Sequence, residues 1–336
     1  MDPLVSVVIT THNLEWCVNE TISSVLAQTY PRTEVIVVDD ASTDKTALVV
    51  ASFGPRVELI RNARRTRDPA INRNIGIQAA SGEYIAFLDG DDLWESEKLA
   101  VQVTAARQYP TAGLIAVDGI QFRHEDGAIL KPSLLDTIPW SSDADPQLVN
   151  LYERLLQGCC IDTPSQILVP RQVLDSVEGF TVDLPPRPGG GRGEDYDFLI
   201  KIAAKFDFIL SRRSLVRYRY RSSSVSALAQ QQSLYFTLSN ITVLRRHLAV
   251  ADKRHKPLVR TILRRRFLYS CRAAIEESRG GKRMWASRYL LQLARRHPNT
   301  SHAVRVGISL ARVWRPILLS RALARARTLF EREGSA

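Results

Sequence analysis

Apolar and polar positions change period repeatedly through the first hundred residues. Short β-branched runs alternate with stretches whose apolar positions recur every three or four residues. Leu4–Thr11 (LVSVVITT) reads as a buried strand, and Glu15–Gln28 as a helix with Trp16, Ile22, Val25 and Leu26 on its apolar side. Thr33–Asp39 (TEVIVVD) is a second buried strand, after which Ser42-Thr43-Asp44 supplies N-cap chemistry for another helix. The pattern continues with a strand at Val57–Ile60, a helix at Pro69–Ala80 closed by Ser81-Gly82, a strand at Glu83–Leu88 and a helix at Trp94–Tyr109. Residues 112–170 are less regular, with a strand at Gly113–Phe122. Glu194–Ala204 is helical, Phe206–Arg219 has strand character, and everything from about Ser226 onward reads as helix.

Strand–helix alternation predicts an α/β fold: a mostly parallel central sheet with helices on both faces, followed by a C-terminal helical region. The expected division is a catalytic domain over residues 1–225, with halves at about 1–110 and 111–225, and a basic helical region over 226–336. In such sheets ligands bind at the carboxyl ends of the strands. Three polar clusters fall there: Thr10-Thr11-His12-Asn13, Asp39-Asp40-Ala41-Ser42-Thr43-Asp44 and Asp89-Gly90-Asp91-Asp92. One polar loop means little. Three in register point to a site.

Composition changes the picture in one respect. The net charge of +11 conceals a division: residues 1–200 carry 16 Lys and Arg against 29 Asp and Glu, and residues 201–336 carry 30 against 6. So one-sided a field in the second half attracts an anionic partner, or else is a solvated helical surface. Cys17, Cys159, Cys160 and Cys271 show neither disulfide-framework nor zinc spacing, which fits a reducing compartment. Met1-Asp2-Pro3 leads straight into the first strand without a signal-peptide pattern, and no apolar run is long enough to span a bilayer. A cytoplasmic protein, peripheral on the inner face of the plasma membrane, is the expectation.

Asp89, Asp91 and Asp92 repel one another unless a cation sits among them, and Mg²⁺ and Mn²⁺ share oxygen shells with phosphates. The alternative is that they cap the helix drawn at Trp94–Tyr109. Glu194-Asp195 is a second acidic pair, at the start of a helix, where capping is again the competing use.

The segments SVVITTHN (Ser6–Asn13), VVDDASTDKT (Val37–Thr46), RNIGIQAA (Arg73–Ala80), SGEYIAFLDGDDLW (Ser81–Trp94) and GEDYDFLI (Gly193–Ile200) together resemble the family 2 glycosyltransferases, of GT-A fold, over residues 4–225. The resemblance implies an inverting transfer from a nucleotide-diphosphate sugar, a UDP-sugar first, to an acceptor hydroxyl in polysaccharide or glycolipid synthesis. It implies a carbohydrate or lipid-linked acceptor and a divalent metal, Mn²⁺ or Mg²⁺. Thr10 and His12 then match base-binding positions. Asp40 matches the carboxylate that takes the base N–H, with Asp39 beside it, and Arg73 the arginine near the nucleotide. Asp89 falls to the ribose and the metal, Asp91 is the direct metal ligand, and Asp92 a supporting acid. Asp195 matches the general base, with Glu194 as its neighbour.

The sequence departs from the family pattern at Arg221, where many relatives carry a metal-binding histidine. Arginine cannot ligate a cation, but it can contact a diphosphate. The Pro/Gly-rich Leu184–Gly193 is expected in an acceptor loop. In the tail, Arg260, Arg264, Arg265 and Arg266 cluster on one helix. Val306, Leu310, Val313, Ile317 and Leu318 keep helical spacing among Arg305, Arg312, Arg315, Arg321, Arg325 and Arg327. That pattern suits an anionic membrane surface, or a bundle that packs on the catalytic domain or forms a homo-oligomer. Two other classes compete. A nucleic-acid-binding protein lacks a reader motif and leaves the strand-end aspartates unexplained, so nucleic acid is not an expected partner. A nucleotidyltransferase or other nucleotide-sugar binder would show an early Gly-rich phosphate loop, and Thr10–Asn13 has no glycine.

Overall fold

The structure, a computed structural model, describes residues 2–138, 140–182, 184, 192–221 and 233–279, with 290, 291, 306 and 309. The chain divides into two compact units, residues 1–231 and 232–336.

The first unit is built on one sheet. Strands β1 (Val5–Thr11), β2 (Thr33–Asp39), β3 (Glu58–Arg61) and β4 (Tyr84–Asp89) run parallel in the spatial order β3-β2-β1-β4. Helices α1 (Val18–Leu26), α2 (Thr46–Ala51) and α3 (Pro69–Ala79) connect them. Alternation along β1 explains the layering. Val5, Val7 and Ile9 join the core containing Val18, Ile22 and Val25 of α1, while Val8 points the other way, against Gly76 of α3. All these side chains are essentially inaccessible, so both faces of the strand are covered.

Beyond β4 the sheet turns mixed. The next strand in space is β9 (Ile167–Pro170), antiparallel to both β4 and β6 (Leu114–Arg123), and β10 (Phe208–Tyr220) runs parallel to β6. Short strands β5 (Leu93–Trp94), β7 (Ile129–Lys131) and β8 (Gln147–Val149) pair antiparallel at the margins. Helices α4 (Lys98–Gln108), α5 (Tyr152–Gln157), α6 (Arg171–Val177) and α7 (Glu194–Ala203) complete the unit.

One element differs from the sequence pattern. The helix drawn at Trp94–Tyr109 starts only at Lys98, and Leu93–Trp94 instead forms β5 against Val216–Arg217 of β10. Trp94 is buried, its indole donates to the Ser165 carbonyl at 2.9 Å and its amide to Ser24 Oγ at 3.2 Å. Tertiary pairing overrides the helical spacing there.

In the second unit, α8 (Ser233–Val250) and α9 (Lys256–Arg279) bury Ile241, Leu244, Val259, Ile262 and Phe267. Arg260, Arg264 and Arg265 are exposed on α9 and Arg266 is half-buried. Val306 is buried, whereas Leu310, Val313, Ile317, Leu318 and the arginines from Arg305 onward lie outside the described residues, as do 185–191 of the Pro/Gly-rich segment.

Candidate active site

The sheet register brings the three strand-end clusters level. Thr11 of β1 pairs with Asp39 of β2, and Thr10 pairs with Asp89 of β4. Left-handed backbone at Asn13 (φ 52°) and Ala41 (φ 54°) turns the chain sharply after β1 and β2. The two loops are then knitted together. Asn13 N–H donates to Ser42 Oγ, Thr43 N–H donates to Asn13 Oδ1 at 2.8 Å, and His12 Nδ1 lies 2.9 Å from the Asp40 carbonyl. Thr10 and His12 stay half-buried at the rim.

Asp39 and Asp40 have different surroundings. Asp39 is fully buried beneath the loop; its carboxylate accepts from the Ser42 amide and hydroxyl and pairs with Arg61 at 3.4 Å. Through these contacts Asp39 shapes the loop that carries Asp40. Asp40 accepts from Asn62 Nδ2 at 3.1 Å and from the amides of Thr66 and Arg67 at 2.7 and 3.1 Å. Burial alone would raise its pKa, but these donors outweigh burial and hold it below the usual carboxylate range.

The second cluster leaves β4. Gly90 donates its amide to the Thr10 carbonyl at 2.9 Å, and a Cβ there would meet that carbonyl at 2.8 Å, so only glycine lets the loop lie so close to β1. Asp89 and Asp91 keep 28% and 24% of their side-chain surface exposed, whereas Asp92 is fully buried. Asp92 accepts from Ser165 Oγ at 2.6 Å, Thr163 Oγ1 at 3.3 Å and the Arg219 amide at 2.9 Å. Burial, with Asp91 and Asp89 adding repulsion, raises its pKa well above the ordinary value. Asp91 is pushed up to about 6 by burial and then by Asp89. None of the three caps α4: β5 intervenes, and the N-cap residue is Glu97.

The third element is α3, whose N-cap Asp68 accepts from Ala70 N–H. One turn in, Arg73 is 5% exposed. Its Nη2 lies 2.9 Å from Asp89 Oδ1, and its Nη1 lies 2.7 Å from Asp195 Oδ1 and 3.7 Å from Glu194 Oε1. Its guanidinium sits over the Phe180 ring at 5.3 Å. Burial disfavours its charge, but Asp195, Asp89 and Glu194 outweigh burial and raise its pKa. Glu194 and Asp195 open α7, where the N-cap is Gly193 with no side-chain cap bond. The Glu194–Asp195 pair thus meets Arg73 across 122 residues of chain. Beside Asp195 lies a small pocket walled by Ile161, Pro164, Phe180, Phe198 and Leu199.

Arg221 approaches Asp91, Nη2 to Oδ2 4.0 Å, and lies over the Trp16 ring at 4.4 Å; its Nε is buried without a hydrogen-bond partner. Several supporting residues carry no mark in the sequence pattern. Arg219, 5% exposed on its side chain, donates from Nε to the Asp91 carbonyl at 2.8 Å and from Nη2 to Glu20 at 2.7 Å. Thr163 and Ser165 hold Asp92, and Ser165 Oγ also accepts from the Asp89 amide at 3.1 Å. Only Thr163-Pro164-Ser165-Gln166 announces itself: it reads as a capping box, and the structure forms one.

Among the described residues, no group of three or more His, Cys, Asp or Glu side chains is arranged to hold a metal ion. Asp91 and Asp89 still fit a cation that takes one or two carboxylates and completes its shell with phosphate and water. Both are partly exposed.

The fold is shared with Staphylococcus aureus TarS. The structure of TarS 1–349 in complex with UDP superposes with a TM-score of 0.63 at 20% identity, covering 95% of this chain and 87% of that one. Residues 6–143 match the model of glycosyl transferase family 2. One relative is the Escherichia coli UDP-Glc:alpha-D-GlcNAc-diphosphoundecaprenol beta-1,3-glucosyltransferase WfgD, 41% identical over 168 residues, which are 50% of this chain and 60% of that one. A putative teichuronic acid biosynthesis glycosyltransferase of Bacillus subtilis, TuaG, is 35% identical over 125 residues, 35% of this chain and 50% of that one. An uncharacterised glycosyltransferase of Rickettsia bellii is 27% identical over 226 residues, 67% of this chain; this chain spans only 31% of that relative.

Proposed function

We propose that this chain transfers a sugar from a UDP-sugar to a hydroxyl of a carbohydrate or lipid-linked acceptor, with inversion at the anomeric carbon. The observation that carries the reading is the convergence of Asp89 and Asp195 on Arg73, which brings a strand-end carboxylate and a helix-start carboxylate to one guanidinium. In this reading Thr10, His12 and Asp40 take the base, and Asp89 takes ribose hydroxyls. The UDP complex of TarS and the UDP-glucose donor named for WfgD support uracil as that base. The diphosphoundecaprenol acceptor named for WfgD supports a lipid-linked acceptor here.

Asp195 accepts the proton of the acceptor hydroxyl as its oxygen attacks the anomeric carbon and the bond to the diphosphate breaks. Asp91, with Asp89, would hold Mn²⁺ or Mg²⁺, which offsets charge on the leaving diphosphate. Arg221 adds a second positive charge there. It is steadied by Trp16 and has one N–H still unpartnered. The cationic face of α9 supports docking on an anionic membrane, which brings a lipid-linked acceptor to the site.

A panel of nucleotide sugars, assayed for donor hydrolysis and for transfer with and without Mn²⁺, tests the reading. Turnover of a UDP-sugar that collapses on chelation is the expected result. Failure to bind or turn over any nucleotide sugar overturns it.

A further inference from the structure

One buried cation serves three carboxylates drawn from both halves of the site. Arg73 reaches Asp89 through Nη2 and Asp195 and Glu194 through Nη1, and its plane lies over Phe180. A guanidinium is rigid and flat, so its two ends cannot be optimised separately. A shift that tightens the bond at Nη2 loosens the bond at Nη1. Buried charge-assisted bonds of this kind are strong, and breaking one side leaves a carboxylate uncompensated. Asp89 and Asp195 therefore compete for one partner.

We propose that Arg73 is a positioning residue that couples the two half-sites, so that occupancy at Asp89 sets how firmly Asp195 is held. This rests on the reading that Asp89 faces the nucleotide and Asp195 the acceptor. Hydroxyls donated to Asp89 by a bound nucleotide's ribose weaken its hold on Nη2. Arg73 then settles on Asp195 and Glu194 and fixes the base in the position needed for the acceptor.

Linkage makes the coupling reciprocal. With Asp195 neutralised, Arg73 relaxes onto Asp89, and Asp89 becomes a poorer acceptor for the ribose. Asp195→Asn should therefore weaken UDP binding, by about fivefold for a coupling at the low end of the usual range. A simple field effect has the opposite sign, because removing a negative charge favours a bound diphosphate. The two explanations are separable by direction.

The experiment is a calorimetric titration of UDP, with Mn²⁺ present, into the native chain, Asp195→Asn, Arg73→Gln and the double variant. The expected result is weaker UDP binding in Asp195→Asn, and no weakening when the same change is made in Arg73→Gln. Arg73→Lys keeps the charge and loses the fork. It should bind UDP and likewise lose the response to Asp195→Asn, which covers the case in which Arg73→Gln fails to fold. Asp195→Asn that leaves UDP affinity unchanged, tightens it, or weakens it equally in the Arg73→Lys background overturns the coupling. A native chain that does not bind UDP overturns the donor reading on which the coupling rests.

Discussion

Asp91 and Asp92 are adjacent in the chain and have different surroundings. Asp92 is sealed in, held by Ser165, Thr163 and the Arg219 amide, while Asp91 turns outward toward Arg221. The buried residue anchors the loop, and the exposed one is left to meet a ligand. The same division separates Asp197 from Asp195, whereas Asp39 and Asp40 are both buried. Asp197 is held by Thr181 Oγ1 at 2.5 Å and lies 3.9 Å from Lys201, while Asp195 keeps 39% of its side chain exposed. This exposure supports the proposal that Asp195, not Asp197, is the base. Asp195→Asn should lower kcat by about 10²–10⁴, the usual worth of a general base, and change the donor KM only a few-fold. Steady-state kinetics with the active UDP-sugar measures this, and a kcat within tenfold of native rules Asp195 out. Arg221→Ala removes one cation beside the leaving group. About tenfold weaker donor binding is expected, equivalent to about 1.4 kcal/mol, and unchanged affinity and turnover would show that Arg221 only packs against Trp16.

At the scale of elements, α3 is the part of the scaffold on which the site depends most directly. It carries Arg73, and one turn further Gly76 lies so close to β1 that a Cβ would clash with Val8 Cγ1. Gly76→Ala should cost about 1–3 kcal/mol, as overpacking does, and should also lower transfer activity by moving Arg73. Denaturant midpoints and kcat should fall together, and a variant as stable and active as native would mean that Val8 yields without moving the helix. The helix itself is easy to read in the sequence, because Asp68-Pro69 starts it and Ser81-Gly82 follows its end. So are β1, β2 and β4, whose β-branched runs reflect burial on both faces. The antiparallel β9 between β4 and β6, and β5 in place of the first turn of a helix, were hidden. Both depend on partners about fifty to more than a hundred residues away, and periodicity is local. The site divides similarly. Acidic residues at strand ends are visible as a pattern. Arg219 and Ser165 acquire meaning only when folding brings them against Asp91 and Asp92, and the double duty of Arg73 follows from contacts across 16 and 122 residues.

Across the whole molecule, charge and titration set the second unit apart. His247 is buried in α8, and burial, with the charge of His255 adding to it, pushes its pKa down to about 4. An unfolded histidine titrates near 6.5, so as pH falls the unfolded state takes up the proton first. The stability this residue contributes is present above about pH 6.5 and is lost as pH falls toward 4. Hydrogen-exchange protection of the α8 and α9 amides in the full chain should drop between pH 7 and pH 5. The drop should be smaller in His247→Gln, and an equal drop would exclude His247 as the cause.

The cations of α9 are not accounted for by the stability of the helix that carries them. Lys256 and Arg260 sit in the first turns of α9, where the helix dipole disfavours cations, and Arg264, Arg265 and Arg266 repel one another. Arg260, Thr261, Arg264, Arg265 and Tyr269 are exposed at helical spacing, so one face is cationic and ends in an aromatic side chain, as suits a lipid interface. Among the described residues no helix is long and apolar enough to cross a membrane. Binding through this face should therefore be electrostatic. Vesicles rich in phosphatidylserine should float the chain at low salt, and zwitterionic vesicles should not. The interaction should fade as the Debye length shrinks from about 30 Å at 0.01 M to about 3 Å at 1 M salt. Each surface cation contributes about 1 kcal/mol, so reversing three of them in R260E/R264E/R265E should abolish flotation and leave UDP binding intact. Flotation that survives the triple reversal, or that persists at 1 M salt, would assign the attachment to something other than this face.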